Sequence, residues 1–241
     1  MFESNAAASA ARSVQTERYA PPEARFKMRL RAFLDEEPGG ATKIRVARGA
    51  HVFNCGDRDD DLYFIESGQV KTVAYSRDGK QCLLSIYAPG DVFGELCQSA
   101  SGRSETATAM RATVLRRIPL ARFRAALADQ DLREAFLAYL NLRLSEQQQV
   151  ITNLVTMDSE RRLAAALLTL ADKIGQRQSG GVRIEQRITQ EELSGMVGTT
   201  RSRIGFFLKR FNEAGLVSRL PGSFLLVNEN RLSDYLETSG V

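Results

Sequence analysis

The chain of 241 residues is poor in the side chains on which most enzymes and metalloproteins depend, with one histidine, His51, and three cysteines, Cys55, Cys82 and Cys97. It has no Ser, His, Asp arrangement, no phosphate-cradling P-loop and no metal-ligand spacing, so nothing in it points to an enzyme. The cysteines are odd in number and widely spaced, which argues against a disulfide framework and against CxxC-type zinc or iron–sulfur ligation; buried free thiols are expected. A lone histidine at a strand start is far more often structural than a ligand, so heme is not expected either. No apolar run is long enough for a transmembrane helix. The stretch from Met1 to Pro22 lacks the apolar core of a secretory signal, being interrupted by Glu3, Arg12, Gln15, Glu17 and Arg18. These absences suit a cytoplasmic protein without a membrane partner, whose residues 1–24 form a flexible arm.

What is present is a soluble, globular composition, 43% hydrophobic and 26% charged, with a net charge of +4. That charge is compatible with a polyanionic partner, but only its clustering decides the matter. Ala24 to Glu37 has a helical pattern that Pro38, Gly39 and Gly40 end. Glycines then recur at Gly56, Gly68, Gly79, Gly90 and Gly102, at intervals of 12, 11, 11 and 12 residues. Short β-prone runs lie between and after them, Leu62 to Ile65, Val70 to Tyr75, Cys82 to Tyr87, Thr106 to Met110 and Thr113 to Ile118. Even turn spacing with short strands predicts an antiparallel sandwich or jelly-roll-like β-roll.

After Pro119 the period becomes helical, from about Arg122 to Asp158. Leu137, Leu140, Leu144, Gln147, Ile151 and Leu154 alternate spacings of three and four, the pattern of a coiled-coil seam. Phe136, Tyr139 and Val150 form a second apolar face, so one face can pack on the β domain while the seam meets another copy; the alternative is that both faces pack within one monomer. A further helix, Ser159 to Ile174, precedes a hydrophilic loop, Gly175 to Gly181, and a short strand, Val182 to Glu185.

The stretch from Ile188 to Phe211 reads as two helices joined by a tight turn. Thr189 and Glu192 form a capping box, and Gly198 ends the first helix after Val197. A cap at Thr199 or Thr200 opens the second, with Ile204, Phe207, Leu208 and Phe211 inward and Arg201, Arg203, Lys209 and Arg210 outward. By itself this fits either a helical hairpin with a solvated basic face or a DNA-reading helix-turn-helix. Gly215 then ends the second helix. A hairpin follows, Leu216 to Arg219 and Ser223 to Val227 across Pro221 and Gly222, with a last helix from Arg231 to Leu236. That context favours a winged DNA-binding domain.

The order of these elements, with the motif Phe93, Gly94, Glu95, Leu96 and the run Ile188 to Val217, resembles the CRP/FNR family of bacterial transcription regulators from about Thr42 to Leu236. The resemblance implies an α+β chain with an effector β-roll over 25–124, a dimerisation helix over 125–157, and a winged helix-turn-helix domain over 158–241 hinged at Asp158. It implies a homodimer on a palindromic double-stranded DNA operator, with RNA polymerase as a partner if the protein activates. DNA contacts would come from Thr199, Thr200, Arg201, Ser202, Arg203, Phe206 and Lys209, with Arg201 on a guanine and Phe206 against a thymine methyl. In cyclic-nucleotide-binding members a helical cassette holds cAMP or cGMP; here Gly94 would offer its amide, Glu95 would accept the ribose 2′-OH, and Arg103 with Ser104 would hold the phosphate. Gln147 and Gln148 stand where a Thr-Ser pair reads adenine, and Glu105 stands where a small residue is usual, either near the phosphate or paired with Arg103. A divergent pocket is the alternative, and Cys97 beside the cassette is a candidate oxidisable thiol. A regulatory subunit acting through a protein partner would share the β-roll but have no need of the winged domain.

Overall fold

The computed structural model describes residues 20–36, 40–95 and 102–238. The order is α1 (Pro22–Glu36), β1 (Thr42–Val46), β2 (His51–Phe53), β3 (Asp61–Ser67), β4 (Val70–Tyr75), β5 (Gln81–Tyr87), β6 (Val92–Phe93), β7 (Thr106–Ala109) and β8 (Thr113–Pro119). Then come α2 (Leu120–Ala126), α3 (Gln130–Thr156), α4 (Ser159–Ile174), β9 (Gly175–Gln178), β10 (Gly181–Ile184), α5 (Gln190–Val197), α6 (Arg201–Glu213), β11 (Val217–Leu220), β12 (Phe224–Val227) and α7 (Glu229–Thr238).

Two four-stranded antiparallel sheets, ordered β1-β8-β3-β6 and β2-β7-β4-β5, make the β-roll. Between them lie Phe53, Tyr63, Ile65, Val70, Tyr87, Phe93, Ala107 and Leu115. Because successive strand residues point to opposite faces, Leu62 and Phe64 of β3 face the other way, onto Phe26 and Leu30 of α1 and Leu132 and Tyr139 of α3. β3 is therefore buried on both faces, which is why its sequence is apolar without alternation. The recurring glycines are the corners of this roll: all five have positive φ, and at Gly68 a Cβ would also fall on the backbone of Thr113.

The helix expected from Arg122 to Asp158 is interrupted. α2 stops at Ala126, and Asp129 caps α3 by accepting from the Leu132 amide at 2.7 Å. Arg133 reaches back to the Leu127 carbonyl at 2.8 Å, so the carbonyl freed by the break has a donor. At the other end Asp158 accepts from the amides of Glu160 and Arg161 and starts α4. Two helices thus meet at a capped junction, Met157–Asp158, rather than running through it. Phe136 is half-buried and Tyr139 buried against α1 and the roll, whereas Val150, assigned to that same packed face, is exposed. Val150 instead lines a cleft between α3, the β5 residues Leu84–Ile86 and α4, where these elements stand apart rather than in close contact.

The third sheet, β11-β12-β10-β9, belongs to the winged half. The stretch expected as a hydrophilic loop, 175–181, is instead half of a hairpin: β9 pairs with β10 in register Gly175↔Ile184 to Gly181↔Gln178. Its side chains are polar because it is an edge strand. β1, β2 and β6 had no strand assignment from sequence; β1 is largely exposed, and β6 has two residues. Cys55 and Cys82 are exposed, not buried, because they sit at a turn and near the start of an outer strand. Cys97 and Leu96 lie outside the described residues. Among the described residues no helix is long and apolar enough to cross a membrane.

Candidate nucleic-acid interface and ligand pocket

The reading surface begins with a rigid corner. The Thr189–Glu192 capping box is complete, with Thr189 N donating to Glu192 Oε2 at 2.7 Å and Glu192 N donating to Thr189 Oγ1 at 3.1 Å. Gly198 closes α5 at φ 69°, a left-handed residue where a side chain would be strained. Thr200 accepts from the Arg203 amide at 3.3 Å and is the cap of α6; Thr199 donates its own amide to the Ser194 carbonyl at 3.1 Å and belongs to the turn. Arg162 of α4 binds this corner from below, donating to the carbonyls of Val197 at 2.8 Å and Met157 at 2.6 Å.

Ile204, Phe207, Leu208 and Phe211 of α6 are buried, which turns Arg201, Ser202, Arg203 and Lys209 to solvent. Phe206 is 59% exposed, an isolated aromatic on a polar face, steadied edge-on by Phe207 at 5.9 Å between centroids. Of the four basic residues counted on the outer face, Arg210 is diverted: it donates to Glu160 of α4 at 2.8 Å and ties the two helices together. Arg201 has no protein partner among the described residues. It forms, with Arg187, Gln190 and Arg219 of the neighbouring segments, the rim of a cavity of about 470 Å³ between α5, α6 and the wing. Three guanidinium groups against one carboxylate, Glu191, leave the concavity net positive, which attracts a polyanion, and the helix-turn-helix layout puts α6 where a major groove would receive it.

The second site is in the β-roll. Gly94 is buried with φ +89°, Glu95 half-buried, Arg103 buried and Ser104 exposed. Arg103 is not paired with Glu105. It ion-pairs with Asp59, donates to the carbonyls of Gly94 at 2.7 Å and Asp61 at 2.6 Å, and lies over the Phe53 ring at 4.2 Å. The Asp59 carboxyl is held below its ordinary range: burial would raise it, and the Arg103 hydrogen bond and charge more than reverse that. Asp59 was not foreseen because it is 44 positions from its partner and in a run of three aspartates with no periodic role.

Glu105 is buried at the position just before β7. Burial pushes its carboxyl up, and the neighbouring Glu95 charge pushes it further. Glu95 is likewise raised by burial, with Arg143 and Arg103 pulling the other way. Arg143 was missed by sequence reasoning, although it stands one turn past the buried Tyr139, on the packed face of α3. It donates to Tyr87 Oη at 3.1 Å and stacks over that ring at 5.2 Å, so it bridges the long helix to β5. Gln147 and Gln148 are exposed on α3, and neither hydrogen-bonds to Gly94, Glu95 or Arg103 within one protomer. His51 Nδ1 is 2.9 Å from Thr108 Oγ1 across the β2–β7 pair, an exposed strand contact.

Along α3, Leu137, Leu144, Ile151 and Leu154 are exposed by about half or more, while Leu140 is partly buried against the α1–α3 core. Gln147 is exposed on the same stripe. An apolar row of this length left in water is the mark of an interaction surface.

Two domain families match the chain, a cyclic nucleotide-binding domain over residues 43–130 and a Crp-like helix-turn-helix domain over residues 161–235. A CRP-like cAMP-activated global transcriptional regulator of Mycobacterium tuberculosis is 34% identical over 190 residues, covering 78% of this chain and 84% of that protein. The cAMP-activated global transcriptional regulator CRP of Escherichia coli O157:H7 is 29% identical over 167 residues, 68% of this chain and 79% of that one. Among solved structures, FixK2 from Bradyrhizobium japonicum superposes with a TM-score of 0.68 at 19% identity, over 80% of this chain and 96% of that chain. A CRP/FNR family transcriptional regulator from Thermus thermophilus gives 0.66 at 23% identity, over 83% and 100%. At those identities the structural likeness is one of fold.

Proposed function

This chain belongs to the CRP/FNR family of bacterial transcription regulators, and on that premise we propose that it binds palindromic operators as a homodimer with α6 as the reading helix. It is a DNA-binding regulator of the CRP/FNR type, and its relatives do not favour a subunit that acts only through a partner enzyme. The observation that carries the detailed reading is Arg201: exposed, unpartnered among the described residues, and on a helix whose start is fixed by the Thr200 cap. Arg201 reads a guanine by a bidentate contact, Ser202 a neighbouring base, and Phe206 a thymine methyl. Thr199, Thr200, Arg203 and Lys209 position the backbone phosphates. Dimerisation runs through Leu137, Leu140, Leu144, Gln147, Ile151 and Leu154, within residues 125–157, so half-sites lie about one helical turn apart. A genome-wide binding map tests this: it should return a two-fold symmetric motif, and its position relative to promoters tells an activator, with RNA polymerase as partner, from a repressor. An asymmetric motif would remove the dimer assignment.

Residues 25–124 are the effector domain and 158–241 the DNA-binding domain, acting in the cytoplasm. The effector class suggested by the domain family is a cyclic nucleotide, cAMP or cGMP, held by Gly94, Glu95, Arg103 and Ser104 with Gln147 and Gln148 from the dimer helix. Supporting it are the buried Gly94, the half-buried Glu95 next to it and the placement of Arg103 beside them. Binding then requires Arg103 to exchange Asp59 for the phosphate. Calorimetry with millimolar cAMP and cGMP decides it; no heat with either ends the cyclic-nucleotide assignment and leaves a divergent pocket.

A further inference from the structure

The β-roll pocket holds one acid more than the cyclic-nucleotide reading uses. Glu105 immediately precedes β7 and is two residues before Ala107, which lies between the sheets, so its side chain turns to the same inner face. It is 7% exposed. The strand register sets its surroundings: Thr72 of β4 stands opposite both Ala107 of β7 and Ser85 of β5, and Tyr87 follows two residues after Ser85 on that face. Glu95, two residues after β6, and Arg143 of α3 close the corner. The Thr72 hydroxyl is fully buried there without a well-formed hydrogen bond to any described residue. A folded interior rarely leaves such a group unanswered unless something else is to meet it.

The groups that face Glu105 do not balance it. From β4 and β5 come a hydroxyl and a phenol, Thr72 and Tyr87, and from the segment after β6 comes a second carboxyl, Glu95. Arg103, two residues back, is engaged by Asp59 and by the carbonyls of Gly94 and Asp61. Arg143 is shared with Glu146 of its own helix at 3.5 Å, and that acid also meets Lys173 of α4 at 3.1 Å. Burial pushes the Glu105 carboxyl up and the Glu95 charge pushes it further, while the Thr72 hydroxyl, Arg143 and Arg103 offset this only in part. A cyclic nucleotide brings one more negative charge, its phosphodiester, into the same corner. Glu95 has to stay ionised to accept the ribose hydroxyl, which leaves Glu105 as the group that can take a proton.

We propose that Glu105 is a ligand-contact residue that enters the complex as the carboxylic acid, its hydroxyl donating to the anionic ligand, so that a cyclic nucleotide binds together with a proton taken from solvent. The inference rests on the cyclic-nucleotide reading of this pocket and gives a role to the residue by which the chain departs from the usual small side chain. The other groups nearby do not supply the effect. Asp59, held below its ordinary range by Arg103, returns only to that range when released and stays ionised near neutral pH. His51 is exposed and paired across the sheet with Thr108, the residue after the inward Ala107, and so stands on the outer face.

Calorimetry of the full-length protein with cAMP and cGMP at pH 6, 7 and 8, each in two buffers of different ionisation heat, tests this. The observed heat should depend on the buffer in the sense of proton uptake, and affinity should fall as pH rises, by up to about tenfold per pH unit. Glu105→Gln, which donates without titrating, should lose the buffer dependence, flatten the pH profile and bind at pH 8 at least as tightly as the native chain. Glu105→Ala, which restores the small residue, should also lose the buffer dependence. Binding to the native chain without proton uptake overturns the inference and leaves the cyclic-nucleotide reading standing. Uptake that persists in both variants places the proton on another group and overturns the role of Glu105. No heat with either nucleotide at any pH is the distinct outcome that ends the cyclic-nucleotide reading, and this inference with it.

Discussion

Arg103 in the β-roll and Arg201 on α6 are held in opposite ways. Arg103 is 3% exposed and engaged by Asp59, two backbone carbonyls and the Phe53 ring, whereas Arg201 is exposed and has no partner among the described residues. A closed guanidinium has to be released before it binds anything. An open one on a rigid helix is ready, and contact costs only the rotamer freedom of its own side chain, about 0.5 to 1.5 kcal/mol. The exposed stripe of α3 is like Arg201, complete in itself and waiting for a surface; the effector pocket is like neither, because its charges already answer one another. The difference teaches that the proposed DNA contact at Arg201 is open as it stands, while a phosphate at Arg103 would require a rearrangement.

The comparison can be broken most severely at α3. Replacing Leu144 and Ile151 together by Asp puts charge on the open stripe, which should abolish the dimer in sedimentation and cut operator affinity by ~100-fold or more through lost bivalency. A monodisperse dimer that persists would mean the stripe is not the interface. Next in size, Arg201→Ala should cost about 1 to 3 kcal/mol of operator binding and relax specificity at one base pair, read by competition with single-base operator variants. Equal weakening on all sequences would make Arg201 a phosphate contact.

Smaller effects belong to the closed site. Asp59→Asn loosens the hold on Arg103 and raises the fraction of protein ready to bind, so cyclic nucleotide should bind several-fold tighter by calorimetry. Unchanged affinity would show that Asp59 does not compete for the guanidinium. The smallest concerns the two carboxyls. Glu95 and Glu105 are both raised by burial, and Glu105 further by Glu95; Arg143 and Arg103 partly offset this. A carboxyl raised in the folded state binds its proton more tightly there than in the unfolded chain, so its stabilising contribution is full below the ordinary carboxylate pKa and declines as pH rises through the folded value. Glu105→Gln should therefore raise Tm by about 2 to 4 °C at pH 8 and leave it unchanged at pH 4. An equal shift at both pH values would assign the effect to packing.

Much of the winged half was legible because its determinants are close in sequence. The capping box joins Thr189 to Glu192, the turn needs a left-handed Gly198, and the inward face of α6 repeats every three or four residues. The five glycine corners of the roll were legible for the same reason. The break before Asp129 was not read, since an aspartate in a helical run is equally a solvated residue, and the strand β9 was hidden because edge strands tolerate polar residues. Val150 was assigned to the packed face by period alone, which cannot tell how closely the neighbouring elements approach it.

By itself, then, the sequence determined the succession of β-roll, long helix and winged half, the caps, the turns, the apolar stripe on the long helix and the family, all of which follow from spacings within a few residues or from motifs in line. Tertiary structure alone decided that Arg103 answers Asp59 and not Glu105, that Arg143 bridges α3 to β5, that Arg210 is held by Glu160, and that Gly195 lies against the Gln81 carbonyl, where a Cβ would clash. These pairs are separated by 44, 56, 50 and 114 positions. Charge and packing act through space, and which of several nearby acids meets a given arginine depends on the chain having folded.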